Sequence, residues 1–445
     1  MRRPPLWCYS MCMANNRRKR FRPGSTLVLG FLIVILIGSL LLSLPFARKE
    51  GSEAGFLDCL FVSTSAVCVT GLTTVDIADT FTVFGRIVLM VLVQVGGLGF
   101  ASIALFVISL VGRNISFSSI SLAQEAMNYE SGKGIVSMVY SVLSYAFIIE
   151  TVGAGLLAIP FYRRSGDILY SLGMGAFHSV SAFNNAGFDL NGGMMSLMDF
   201  HGDVYVNVVV ALLILLGGLG FIVLKDVVHA RRWNKFTFHT KIVLFMTLVL
   251  VGGGMLLLMA GGAEPLDAFF LSVSARTAGF TTVPLEGLPN SSSLVMIFLM
   301  FIGANPGSTG GGVKTTTVFV IFVAMATVVT GRKPTIFERR IAHDSIFKAM
   351  TVFVMAIIVI LIATFGIMMI EGDVFSTIDI LFEVVSAAAT VGLSRSLTPV
   401  LQVSSRFIIM LVMFLGRLGP LTIVTMFTRS RPGRLGYIQE NVLIG

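Results

Sequence analysis

Eight long apolar runs alternate with polar connections along the chain: 25–46, 87–111, 135–160, 204–224, 242–261, 295–326, 346–370 and 407–427. Each is long enough to be a helix crossing the membrane, which takes about 20 residues for roughly 30 Å of hydrocarbon. Between the first and second run of each successive pair lie shorter apolar stretches, 55–67, 167–183, 265–275 and 374–387, of 11 to 17 residues. These are too short to cross and too apolar for exposed loops, so the pattern predicts short helices that enter the membrane and return. Each such stretch runs into a glycine-containing segment. Non-helical backbone is tolerated at membrane depth only when buried in protein or lining a water-filled cavity.

Those segments are versions of one another: SAVCVTGLT at 65–73, SAFNNAGFD at 181–189, SARTAGFTT at 274–282 and SAAATVGLS at 386–394. Each carries a glycine followed by Leu or Phe, at Gly71, Gly187, Gly279 and Gly392, and the third is one position shorter before its glycine. The expected fold is an all-α integral membrane protein. It has four pseudo-repeated helix–re-entrant P-loop–helix units around a central pore, with about eight transmembrane helices and four pore half-helices. The expected organisation is a basic tail at 1–24, unit one at 25–112, a connection at 113–134, unit two at 135–230, unit three at 231–331, unit four at 332–428 and a tail at 429–445.

Composition agrees with the apolar runs: 55% of the 445 residues are hydrophobic and 12% charged, with mean hydropathy +0.89. A soluble domain carries roughly 25% charged residues. The net charge of +9 is concentrated in the N-terminal tail, the connections around Lys225–Lys241 and Arg332–Lys348, and the C-terminal tail. With an even number of spans these fall on one side, predicting cytoplasmic termini. Basic residues spread over loops suit membrane lipid and argue against nucleic acid. Acids such as Asp58, Asp76, Asp167, Asp189, Asp267, Asp379 and Glu383 fall on the opposite face. They either gather cations or simply occupy loops from which the basic residues are absent. Cys8, Cys12, Cys59 and Cys68 make no metal-ligand pattern, and the five His are scattered with no His/Glu pair at ligand spacing. A membrane-integral enzyme is therefore disfavoured.

Rings of backbone carbonyls can replace the hydration shell of a cation. Turning successive carbonyls to one side needs unusual backbone angles, which glycine adopts readily. The candidate lining residues are Val69, Thr70, Gly71, Asn185, Ala186, Gly187, Thr277, Ala278, Gly279, Thr390, Val391 and Gly392. The segments VTGLTTVD and ATVGLS, the four-unit plan and the basic tail resemble the Trk/Ktr/HKT superfamily of potassium transporters, and within it the bacterial Ktr-type pore subunits. The resemblance implies a selectivity filter at the four glycines. Glycine rather than serine at the first of them favours potassium over a sodium-permeable or general monovalent cation pathway. It further implies no cofactor bound by this chain, K⁺ as the transported ion and Na⁺ as a candidate activator. The expected setting is a bacterial plasma membrane, with a homodimer docked on a cytoplasmic nucleotide-binding regulator ring of the KtrA type. The apolar ending ENVLIG suits such an interface, or frays.

A second small-residue cluster follows each filter glycine by 24 to 30 residues: VGGLGF at 95–100, LGGLGF at 216–221, IGANPG at 302–307 and LGRLGP at 415–420. The first two read as plain helix-packing surfaces. The third continues as GANPGSTGGGVKTTT, an intramembrane loop expected at 303–317, placing Gly303, Ala304, Asn305, Pro306, Gly307, Ser308, Thr309, Gly310, Gly311, Gly312 and Lys314 inside a long apolar run. Proline and glycine break that helix, leaving either a mobile loop able to obstruct the pore or a rigid break that shapes its cavity. The stretch is not a phosphate loop, because Val313 intervenes before Lys314. The fourth cluster holds Arg417 near mid-membrane, where a charge costs roughly 2.5–3.5 kcal/mol. By resemblance, the loop is the gate and Arg417 a barrier beneath the filter or a tether to the loop; on the residue alone it could equally be a helix-packing arginine bonded to carbonyls.

Overall fold

The computed structural model of the chain describes residues 23–110, 120–121, 124, 134–230, 232–331, 333–336 and 339–419. The N-terminal tail through residue 22 (with Cys8 and Cys12), most of the 113–134 connection and everything after 419 lie outside the described residues.

Four times over, a long helix is followed by a short one, a glycine segment and a second helix. Unit one has α1 (Pro23–Ser43), α2 (Phe56–Cys68), α3 (Val83–Leu98) and α4 (Phe100–Leu110). Unit two has α5 (Ile135–Ser165), α6 (Ile168–Phe183), α7 (Val204–Leu219) and α8 (Phe221–Ala230). Unit three has α9 (Phe238–Ala260), α10 (Pro265–Ser274), α11 (Asn290–Phe301) and α12 (Thr315–Thr330). Unit four has α13 (His343–Glu371), α14 (Thr377–Ala388) and α15 (Val403–Leu418). Between α12 and α13 the described residues form one antiparallel ladder, Thr335–Ile336 against Arg339–Arg340.

The short helices α2, α6, α10 and α14 end at the glycine segments, and α6 and α14 start at side-chain caps while α10 starts on proline. Asp167 Oδ1 accepts from Leu169 N and Tyr170 N at 2.8 and 3.1 Å, Ser376 Oγ accepts from Asp379 N at 3.3 Å, and Pro265 opens α10. A capping oxygen satisfies an otherwise orphan helix N–H, and proline loses nothing at a first helical position.

The sequence repeat extends further back than the glycine segments. A phenylalanine precedes each repeated serine by four residues, at Phe61, Phe177, Phe270 and Phe382, and all four are buried. Two residues after the phenylalanine, Ser63, Ser179 and Ser272 donate to Ile35 O, Glu150 O and Val251 O, each at 2.8 Å. These bonds fasten the short helix to the long helix of its own unit. In the fourth unit Val384 takes this place.

The second helix of each unit departs from a straight span. α3 and α4 meet at 93° across Gly99, and α7 and α8 meet at 99° across Gly220. Both glycines have positive φ, +80° and +93°, a conformation that costs other residues energy. The reading of VGGLGF and LGGLGF as plain packing helices is thus corrected. They do pack: a Cβ on Gly217 would lie 1.8 Å from Phe183 O. Their last glycine also turns the chain out of the span. In unit three the residues between α11 and α12 form a loop, and α15 ends at Gly419 with φ +79°.

Candidate functional site: a glycine ring and the loop beneath it

Each glycine segment has the same backbone signature. Gly71, Gly187, Gly279 and Gly392 have φ between +70° and +96°, and the residue two before each, Val69, Asn185, Thr277 and Thr390, is also left-handed, with φ between +52° and +73°. Left-handed conformations at non-glycine residues cost of order 1–3 kcal/mol each and persist only where the surroundings over-determine them. The repeated serine supplies that restraint. Ser65 O, Ser181 O and Ser386 O accept from Thr70 N, Ala186 N and Val391 N at 2.8 Å, and Ser274 O accepts from Ala278 N at 2.9 Å. Ser65 Oγ and Ser386 Oγ also accept from Gly71 N and Gly392 N at 3.0 and 3.1 Å. The third unit absorbs its missing position at the end of α10 and still delivers Thr277 and Gly279 in register.

A second polar side chain pins each segment from the other side of its glycine. Asp58 Oδ1 accepts from Thr74 Oγ1 at 2.7 Å, and Asp267 Oδ1 from Thr282 Oγ1 at 3.3 Å. Glu383 Oε1 accepts from Ser394 Oγ at 2.9 Å and from Thr398 Oγ1. His178 Nε2 accepts from Leu190 N at 3.4 Å. In the sequence the serines stand out only as markers of the repeat, and the bracing role of Asp58, His178, Asp267 and Glu383 does not show.

The four segments close on one another. A Cβ built on Gly71 would lie 2.5 Å from Ala186 O, on Gly187 2.8 Å from Ala278 O, on Gly279 2.4 Å from Val391 O and on Gly392 2.0 Å from Thr70 O. Unit one thus meets two, two meets three, three meets four and four meets one. The Asn185 carboxamide also reaches Thr277 Oγ1 across 3.2 Å. The twelve candidate lining residues therefore come together as one ring. The short helices end at this ring, and helix C-termini carry partial negative charge.

With the N-termini of the short helices taken as up, the 303–314 loop lies directly beneath the ring. Gly311 N donates to Thr390 Oγ1 at 3.1 Å, and a Cβ on Gly310 would lie 2.1 Å from Thr277 Oγ1. Thr309 donates through N to Gly217 O and through Oγ1 to Phe183 O, at 3.3 and 3.2 Å. Asn305 Nδ2 donates to Gly218 O at 2.9 Å, and its Oδ1 accepts from Thr315 Oγ1. Gly303 N donates to Val313 O at 2.9 Å, and Lys314 Nζ to Gly310 O at 2.6 Å. Arg417 crosses from unit four, donating to Thr309 O, Gly96 O and, at 3.1 Å, Gly97 O. Arg417 thus joins the loop to α3 through carbonyl oxygens alone, a geometry that both a tether to the loop and a helix-packing arginine would have. Ala304 and Asn305 are buried, while Pro306, Gly307 and Ser308 are half-buried at the turn against α8, where Gly307 O accepts from Phe221 N at 3.0 Å.

Several acids of the same face are engaged in structure. Asp58 pairs with Arg406 and Asp379 with Arg395, each at 3.1 Å, and Asp203 Oδ1 caps α7 through Tyr205 N at 3.0 Å. Asp189, two residues past Gly187 in the connection to α7, differs. Burial pushes its carboxyl up to about 7 against the bond it accepts from Asn191 N, and Asp76 adds to the rise. The fold also gathers what the linear sequence kept apart. His201, Glu264 and Asp267 place ligand atoms within 4.8 Å of one another, the first two exposed and Asp267 buried.

A family model described as TrkH, cation transport protein, matches residues 18–260 and 229–433. The chain is 37% identical over 443 residues to the Ktr system potassium uptake protein B of Bacillus subtilis (strain 168), covering 96% of this chain and 97% of that protein. It is 38% identical to the protein of the same name from Vibrio alginolyticus, over 97% of each. It is 35% identical to the potassium/sodium uptake protein NtpJ of Enterococcus hirae, over 97% and 99%. The crystal structure of the potassium transporter TrkH from Vibrio parahaemolyticus superposes with a TM-score of 0.71 at 18% identity, covering 95% of this chain and 89% of that one.

Proposed function

The chain belongs to the TrkH family of cation transport proteins, and we propose that it takes up potassium across the membrane as the ion-translocating subunit of a regulated system. The observation that carries this reading is the closed ring of four glycine segments, each with paired left-handed residues and each pinned before and after its glycine. Carbonyls at Thr70, Ala186, Ala278 and Val391 and at the adjoining residues replace the hydration shell of the ion as it passes. The ring selects, and the 303–314 loop controls passage. In the conformation described here the loop is held under the ring by Arg417 and Thr309, and Lys314 folds it on itself by donating to Gly310 O.

Regulation then requires a partner that moves α12, α13 or α15, the helices flanking the loop and Arg417. A cytoplasmic nucleotide-binding ring on the basic connections fits this need, and the names of the Ktr system relatives support a multi-component assembly. The same reading places both termini in the cytoplasm and pairs two copies of the chain in the membrane. A sodium-permeable transporter is the second reading, favoured by the potassium/sodium uptake relative. The family is one of cation transporters, which argues against an enzyme.

Rubidium and potassium uptake into liposomes holding the purified protein tests this reading. Uptake of both, with sodium excluded, is expected; a protein conducting neither ion under any condition would sink it, and equal sodium uptake would favour the second reading.

A further inference from the structure

The helical turn Met198–Phe200, between the second glycine segment and α7, ends at His201. The chain here is fastened to the third segment: Leu197 N donates to Thr281 O at 2.9 Å, and Ser196 Oγ accepts from Thr281 N at 3.1 Å. This sets the imidazole of unit two against the start of α10 in unit three, where Glu264 and Asp267 stand. His201 Nδ1 lies 3.3 Å from Asp267 Oδ1, and one ligand atom from each of the three residues falls within 4.8 Å of the others.

The fold gives these two carboxylates little of what carboxylates usually have. Glu264 precedes α10 without capping it, and Pro265 removes one of the N–H groups that could have served it. Among the described residues, neither carboxylate pairs with a lysine or arginine. Asp267 is only 6% exposed. Its Oδ1 faces His201 and accepts from Thr282 Oγ1 at 3.3 Å, while its Oδ2 accepts from no described residue. Two carboxylates held this close repel each other, and burial of one adds a desolvation cost. A cation between them offsets both.

We propose that His201, Glu264 and Asp267 form a binding site for a divalent transition-metal ion of the zinc class. Zinc sites with three protein ligands leave the fourth position to water, and the exposed side of His201 and Glu264 gives water access. Two ligands at zinc distances on a tetrahedral ion stand about 3.3 Å apart, the separation His201 Nδ1 and Asp267 Oδ1 already have. The imidazole selects such an ion over magnesium and calcium, which take oxygen ligands. Thr282 orients the Asp267 carboxylate from behind, as outer-shell donors do. Thr282 lies three residues past Gly279, so the ion joins units two and three within one hydrogen bond of the third glycine segment.

Calorimetric titration of Zn²⁺ into the purified full-length protein is expected to show a tightly held ion that excess Mg²⁺ does not displace. Loss of an outer-shell partner alone costs about 10–100-fold in metal affinity. His201→Ala and Glu264→Gln, both at exposed positions, should each weaken that ion by at least this much. Crystals of the unaltered protein soaked in Zn²⁺ should show an anomalous peak bounded by the three side chains, a readout that needs no variant to fold. Neither measurement involves ion flux, so failure here is distinct from failure of the transport reading. Zn²⁺ affinity unchanged in either variant, or no peak among these side chains, overturns the proposal.

Discussion

The guanidinium of Arg417, at the end of α15, donates to the carbonyl oxygen of Thr309, at the tip of the loop beneath the ring. The same group donates to Gly96 O and Gly97 O of α3. One side chain from unit four therefore ties the loop of unit three to the helix of unit one. Hydrogen bonds to a charged group contribute about 1.5–3 kcal/mol each, so the tether favours the loop position described here over one in which Thr309 has moved away.

Arg417→Ala should release the loop. Loss of one such bond shifts the balance between held and released loop by about 10–100-fold, and Rb⁺ uptake by the protein without any regulator should rise accordingly. Arg417→Lys keeps the charge but cannot span Thr309 O and both α3 carbonyls, so it should give intermediate uptake. Unchanged uptake in the alanine variant would show that the tether holds nothing that limits flux.

Removing Gly310, Gly311 and Gly312 tests the loop itself. Their loss deletes the Gly311 N to Thr390 Oγ1 bond at 3.1 Å and the carbonyls that Lys314 grips, while leaving the ring residues in place. Basal flux should rise by about tenfold or more with K⁺/Na⁺ selectivity retained. If flux rises and selectivity collapses together, the loop is part of the ring's support rather than a separate gate.

Much of this architecture is legible in the chain because hydrocarbon thickness converts apolar run length directly into helices, and because a backbone-lined ring leaves glycine as its trace. What stayed hidden has physical reasons. Phe61, Phe177, Phe270 and Phe382 repeat in register, yet a chain with 36 phenylalanines camouflages them. Gly99 and Gly220 look like packing glycines in sequence, since only a positive φ separates a helix break from a helix contact. The four braces differ in chemistry and come from two places in the repeat: Asp58 and Asp267 stand three residues before the repeated phenylalanine, His178 and Glu383 one residue after it, so no single motif marks all four. His201 and Asp267 are joined by the fold at 3.3 Å and separated by unrelated sequence.

Gly71→Ser probes the ring. At φ +96° a side chain is strained, at a cost of order 1–3 kcal/mol, and its Cβ would meet Ala186 O at 2.5 Å. The segment can relieve this only by turning a carbonyl away or widening the ring, and a hydroxyl then stands where a carbonyl stood. Na⁺ permeation should increase, lowering the K⁺/Na⁺ uptake ratio by about tenfold, which corresponds to about 1.4 kcal/mol. Gly392→Ser, whose Cβ would meet Thr70 O still more closely, should act at least as strongly. Equal selectivity in both variants and the parent would remove Gly71 and Gly392 from the ion's path.

Asp189 gives the pathway a pH dependence whose sign follows from its surroundings. Its carboxyl is raised to about 7 by burial, with Asp76 contributing to the rise. The folded chain therefore holds this proton more tightly than the unfolded chain. Its contribution to stability declines as pH rises from the usual carboxylate range through about 7 and is flat above that. Uptake runs the other way. Below about pH 6 the group is neutral, and above about pH 8 it places a negative charge just past Gly187, where it draws cations toward the ring. Rb⁺ uptake should therefore increase across that window, and raising external K⁺ should move the midpoint to lower pH because cation and proton compete for the same charge. Asp189→Asn should flatten the profile at its acid-side level. A variant with the parent's pH profile would assign the dependence to another group.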